Sequence, residues 1–199
     1  MPYSEILVVV SSLLCLLGAV AYIRDTIAGK TKPNRVTWSM WALAPLIGTG
    51  AAYSAGADFW ALARIFLAGF LPLIILCATL VNPQSYWKIT QFDVLCGATS
   101  LVSLVIWFGL KNPVLAVLAA ATADAFASIP TLLKTWRYPE TETAHTYLAG
   151  FFSILLVLPS IEVWDIPNAA FSLYLLCINA LLTVFAYRGA LMKRAAGLR

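Results

Sequence analysis

Seven long apolar stretches, separated by short polar connections, take up nearly all of the 199 residues. They fall at 3–23, 35–54, 58–81, 90–110, 113–134, 144–161 and 166–187. A helix rises about 1.5 Å per residue, so about 20 apolar residues cross a bilayer core. The pattern therefore predicts seven transmembrane helices. The connections carry turn residues, at Gly29 to Asn34, Ser54 to Asp58, Asn82-Pro83, Asn112-Pro113, Pro139 and Ile166-Pro167-Asn168. Trp38, Trp60, Trp87, Trp107, Trp136, Tyr138 and Trp164 cluster near the helix ends, as an interfacial aromatic belt does.

Composition agrees with the pattern. Hydrophobic residues make up 61% of the chain and charged residues 11%, against about 45 to 50% and about 25% in soluble domains. The expectation is a single transmembrane domain over 1–199, with no separate soluble part. The first stretch carries Glu5 and no Lys or Arg at its start, which suits a retained helix better than a cleaved signal. Cys15, Cys77, Cys96 and Cys177 fall in different stretches without metal-ligand spacing, so neither a disulfide framework nor a zinc site is expected.

Charge gives an orientation. Of the 13 Lys and Arg residues, only Lys111 and Arg64 lie outside alternate connections and the C-terminal tail. Arg24, Lys30, Lys32 and Arg35 follow the first stretch, Lys88 the third, Lys134 and Arg137 the fifth, and Arg188, Lys193, Arg194 and Arg199 the seventh. Cytoplasmic loops retain Lys and Arg, which puts the N-terminus outside a plasma or inner membrane and the 188–199 tail in the cytoplasm. In a soluble protein a net charge of +4 would suggest nucleic acid. Here the cations fit anionic lipid heads, and lipid rather than nucleic acid is the expected partner.

The chain also repeats itself. Ile23 to Lys30 leaves the first helix into a basic connection that enters the second through Thr37-Trp38. Ser128 to Lys134 leaves the fifth helix the same way, towards Thr146-Tyr147. Both units return through an acidic turn, at Asp58 and at Glu162 with Asp165. Two three-helix units are expected, at 3–81 and 113–187. An odd number of spans reverses direction, so a second unit in the same orientation needs an extra crossing, supplied by the linker helix at 90–110. Parallel repeats of this kind occur in SWEET transporters.

On these features the chain resembles the SWEET and PQ-loop superfamily. The resemblance spans the chain as topology and is partial in motif. Where the family carries Pro-Gln, this sequence reads Arg24-Asp25 and Pro130-Thr131. Pro167-Asn168 is similar to the Pro-Asn at which SWEET sugar transporters place a substrate-facing Asn, whereas the matching Phe59-Trp60-Ala61 has none. The resemblance implies an all-α 3+1+3 fold, shared with nicotinamide-riboside-type transporters and with luminal-protein sorting receptors.

Asp124 is the most informative single residue. It lies in an Ala-rich part of the fifth helix, about 18 Å from Asn112, near the bilayer centre. A carboxylate there is costly and faces a cavity or a partner. Ala121, Ser128 and Thr131 share its face. Arg64 either reaches Asp124, as an ion pair or proton site, or snorkels towards Asp58. Asn168 and Asn179, on one face of the seventh helix, either bind substrate or join helices. Trp41 and Tyr53 are candidate pocket aromatics, and Trp38 an interfacial anchor. Pro45 and Pro130 are candidate hinges.

The only His is His145, and no HExxH, GxSxG, Walker A or GxGxxG motif is present, so no enzyme activity and no cofactor are expected. The function expected is transport of a small polar solute by alternating access, the solute being a sugar or polyol, or a nucleoside or vitamin precursor. The alternative is a non-transporting receptor or scaffold that binds a peptide or lipid. Small residues such as Gly18 and Gly69 could pack helices within the bundle or between copies of a homo-oligomer.

Overall fold

The computed structural model describes residues 3–57 and 59–195, and the side chains of 6–57 and 59–189. Asp58 and Arg199 lie outside the described residues, as do the side chains of Glu5, Lys193 and Arg194. The described chain is helical throughout, without a strand. Its α-helices are α1 (Tyr3–Ile27), α2 (Arg35–Ser54), α3 (Phe59–Ala78), α4 (Gln91–Gly109), α5 (Pro113–Arg137), α6 (Ala144–Val157) and α7 (Ile166–Ala195).

Local chemistry sets where several helices begin. Asn34 accepts from the backbone N–H groups of Val36 (3.0 Å) and Thr37 (3.3 Å), which starts α2. Thr90 and Asp93 form a reciprocal capping box at α4. Asn112 caps Leu115 at 3.1 Å, with Pro113 at the first helical position of α5, where its missing N–H costs no hydrogen bond. Asp165 receives the Asn168 N–H at 3.0 Å as α7 begins.

Five helical segments are long and apolar enough to cross a membrane: Ile6–Ile27, Phe59–Ala78, Gln91–Gly109, Pro113–Arg137 and Ile166–Gly189. The chain is thus a membrane-embedded helical protein. Seven spans were expected, and α2 and α6 fall short of that standard for different reasons. Arg35, Thr37, Ser39, Thr49, Ser54 and two glycines dilute α2, which packs against α3, α4 and α5. Ala144–Ser160, which adds one 3-10 turn to α6, is a shorter apolar helix, about 26 Å long at helical rise. The seventh helix runs to Ala195, so the expected tail begins as a continuation of α7. Leu17, Val105, Phe108 and Val184 point outward, the inverse of a water-soluble bundle.

Helix packing follows a regular scheme. α3 contacts both α1 and α2, and α7 contacts both α5 and α6. α1 lies on α6, α2 on α5, and α4 against α5 and α2. Gly18 permits the α1 and α6 backbones to approach, and Thr146 donates to the Gly18 carbonyl at 2.7 Å. Gly69 does the same on α3, beside Ala42 and Leu46 of α2. Both glycines therefore act within the bundle.

Burial is uneven along the bundle axis. The core of Ala19, Tyr22, Trp38, Leu71, Ile75, Tyr147, Leu182 and Ala186 sits towards the end that carries the basic connections. No residue is buried in 43–54 of α2, 59–68 of α3 or 113–122 of α5. α2, α3 and α5 are thus tightly packed towards the basic end and loose at the far end, whereas Leu7 and Ser11 of α1, Leu104 of α4 and Ala169 of α7 are buried at the far end too.

Candidate functional site

Asp124 lies where the packing changes. The first buried residue of α5 is Ala123, and Asp124 itself is half-buried. The Tyr174 hydroxyl of α7 donates to Asp124 Oδ2 at 2.7 Å, and Ser128, one turn along α5, donates to the same oxygen at 3.2 Å. The Trp41 side chain of α2 lies beside the carboxylate. Three helices therefore converge on one acid. The Trp41 ring stands edge-on to Trp38 with centroids 5.1 Å apart, and Trp38 packs on Tyr22 at 4.7 Å.

Of the residues expected at a site, the structure thus brings together Asp124, Ser128 and Trp41. The two candidate hinges flank this cluster. Pro45 lies four residues beyond Trp41 and deprives the Trp41 carbonyl of its helical donor; Pro130, buried in α5, does the same to Phe126. Pro45 also stands where α2 meets Gly69.

The other expected residues lie elsewhere. Arg64 is exposed on α3, which packs against α1 and α2, and neither ion pair among the described residues contains it. The Arg64–Asp124 pair does not form. Tyr53 is 74% exposed and borders an apolar groove with Thr49, Phe59 and Phe66 between α2 and α3. Asn168 is exposed and donates its side-chain amide to Asp165 at 2.7 Å. Asn179 donates to the Leu175 carbonyl at 2.9 Å and presses its amide against Gly150 of α6, so it serves helix packing. Trp38 is a core residue, not an interfacial anchor, because Tyr22 and Trp41 enclose it.

A second polar cluster, not anticipated from the sequence, closes the basic end. Lys134 donates to Glu142 Oε1 at 2.5 Å, with side-chain exposures of 1% and 0%. Glu142 Oε2 accepts from Tyr22 (2.6 Å) and Tyr147 (2.8 Å). Lys134 also donates to the Lys32 carbonyl and lies 5.2 Å from the centre of the Trp87 ring. The α1–α2 connection is tied in further. Lys32 N–H donates to the Thr141 carbonyl at 3.0 Å, the Thr31 and Thr143 hydroxyls meet at 2.6 Å, and Thr143 donates to Asp25 at 3.1 Å. A basic residue expected among lipid heads is thus the centre of a buried latch. Its sequence signal was Glu142, a carboxylate within the basic connection between α5 and α6.

Several buried polar atoms pair with no protein group: the Thr131 hydroxyl, between Ser128 and Lys134 on α5, the Thr37 hydroxyl and Trp38 Nε1 in the first turn of α2, and the Thr26 hydroxyl and Asn34 Nδ2 beside the latch. Thr131 continues the stripe of Asp124 and Ser128 on α5.

Together, fold and sites define a membrane-embedded helical bundle with a carboxylate near mid-span and a sealed basic end. In comparisons with known proteins, no family model, no curated protein and no solved structure matches the chain.

Proposed function

We propose that the chain is an alternating-access carrier for a small polar solute. In this reading it sits in a plasma or inner membrane with the N-terminus outside and the basic end in the cytoplasm. α1–α3 and α5–α7 are two parallel units and α4 is the inverting linker, an arrangement that resembles the SWEET and PQ-loop plan.

The helix contacts support the two-unit plan. Among these six helices, exchanging α1, α2 and α3 for α5, α6 and α7 turns each principal contact into another: α3 beside α1 and α2 becomes α7 beside α5 and α6, and α1 on α6 becomes α5 on α2, while α4 stands outside the exchange, packed on α5 and α2. The observation that carries the transport reading is the place of Asp124. It lies where α5 passes from its unburied to its buried half, with the unpaired Thr131 hydroxyl further along the same helix towards Lys134 of the latch. Buried polar groups without partners are rare in a static core. They fit a path that is dry when the latch is closed and wet when it opens.

Reconstitution tests this. Liposomes containing the protein are expected to take up a labelled solute faster than empty liposomes, with saturation, and Asp124→Asn is expected to slow uptake more than Lys111→Ala. Equal entry of sugars, nucleosides and amines with and without protein would sink the carrier reading.

A further inference from the structure

We infer that the solute received at Asp124 carries a positive charge: a protonated amine or quaternary ammonium group on an apolar body. This rests on the carrier reading and narrows its substrate class. The carboxylate has only neutral hydrogen-bond partners, Tyr174 and Ser128, with the Trp41 side chain beside it. Both hydroxyls act on Oδ2, so Oδ1 receives neither. Asp124 as a residue is half-buried.

No element packed on α5 brings a cation to the carboxylate. On α2, Arg35 is held by Thr79 through contacts of 3.0 and 2.9 Å at the basic end. α4 contains no Lys or Arg, and its Asp93 is engaged in the capping box. On α7, Arg188 stacks over Trp136 at 3.9 Å, about four turns beyond Tyr174. Along α5 itself, Lys134 belongs to Glu142, and Arg137 lies in the last turn. The midspan carboxylate is therefore uncompensated by the described residues.

In a region of low dielectric, opposite charge is the strongest complement to such a group, and charge-assisted hydrogen bonds exceed those made by neutral hydroxyls. The indole of Trp41, braced by Trp38, and the Tyr174 ring add aromatic surface, which favours cations over neutral polar groups. An anion would be repelled. A sugar would satisfy the hydrogen bonding and leave the charge uncompensated.

The test uses the full chain in nanodiscs of neutral lipid. Equilibrium binding is measured for benzylamine and choline, for their uncharged counterparts benzyl alcohol and 3,3-dimethylbutan-1-ol, and for glucose and uridine. The two cations are expected to bind saturably and the uncharged compounds at least about tenfold more weakly. Asp124→Asn should abolish the difference, and Lys111→Ala should preserve it. Should Asp124→Asn not fold, Tyr174→Phe is expected to weaken cation binding while keeping the preference for charge. Uncharged compounds that bind as tightly as cations, cation binding that survives Asp124→Asn, or no binding of any compound would each overturn the inference. The two readings fail separately. Asp124-dependent uptake of a sugar or nucleoside with no competition by cations defeats the charge assignment alone. Asp124-dependent cation binding without flux into liposomes defeats the carrier reading alone.

Discussion

An added Cβ at Gly18 would lie 2.8 Å from the Ala149 Cβ and 3.2 Å from the Thr146 Cα, where only backbone movement could make room. Gly18→Val is therefore expected to destabilise the bundle by about 1 to 3 kcal/mol, read as a lower thermal midpoint in detergent. Gly50→Ala, with open space around its Cβ inside α2, should be neutral or stabilise by up to about 1 kcal/mol through helix propensity. The same scale separates the Asp124 partners. Tyr174→Phe removes one donor from a half-buried carboxylate and keeps the ring, so a cost of about 0.5 to 1.5 kcal/mol is expected in unfolding titrations. Asp124, Ser128 and Trp41 were legible in the sequence because a polar or large aromatic residue within an apolar run is itself a signal. Tyr174 was not, since a lone tyrosine in a spanning helix reads equally well as packing. From the sequence Arg64 has two readings for a related reason: helical depth gives the height of a side chain but not the direction in which its helix faces, and its exposure removes the pair with Asp124 while Asp58 lies outside the described residues.

Among elements, helix positions were the most legible part of the chain, because hydropathy and caps act locally. α2 matches 35–54 residue for residue, fixed by Asn34 at one end and the Gly56 turn at the other. α1 and α5 each extend further at their basic ends than the apolar pattern alone implied, because Tyr22, Thr26, Lys134 and Thr135 are buried by tertiary contacts. Those contacts form the latch, which hydropathy does not encode. Glu142→Gln would leave the Lys134 ammonium buried without its counter-charge, a loss of about 3 to 5 kcal/mol for a broken buried pair. The expected result is a lower thermal midpoint together with faster labelling of a Thr31→Cys reporter by a hydrophilic thiol reagent, in a chain whose four native cysteines are alanine. Lys134→Met combined with Glu142→Gln should recover much of the stability, because no unpaired charge remains. Unchanged labelling in Glu142→Gln would show that the contact does not gate the basic end.

For the whole molecule, the proposed orientation rests on the alternate basic connections. Single cysteines at Ser54, at the far end, and at Lys88, at the basic end, are expected to react with an impermeant reagent from opposite sides of the membrane, with Ser54→Cys labelled in intact cells. Labelling of both from one side would contradict the orientation. The exchange of contacts between α1–α3 and α5–α7 was foreshadowed by the paired exits at Ile23 to Lys30 and Ser128 to Lys134. The difference in packing between the two ends was not, because burial depends on contacts between segments far apart in the chain.

The latch also bears on how the protein assembles. In the proposed orientation, the charge of Lys134 favours holding the end of α5 on the cytoplasmic side while that helix is being inserted, as retained cations do. Yet in the finished bundle that ammonium is enclosed by Glu142, the Lys32 carbonyl and the Trp87 ring, which come from three different connections. Lys134 must therefore serve first as a hydrated topological anchor and lose its water only after helices from both ends of the chain have come together. Dehydration of this one ammonium is then among the last steps of biogenesis, and it reports that the bundle is complete.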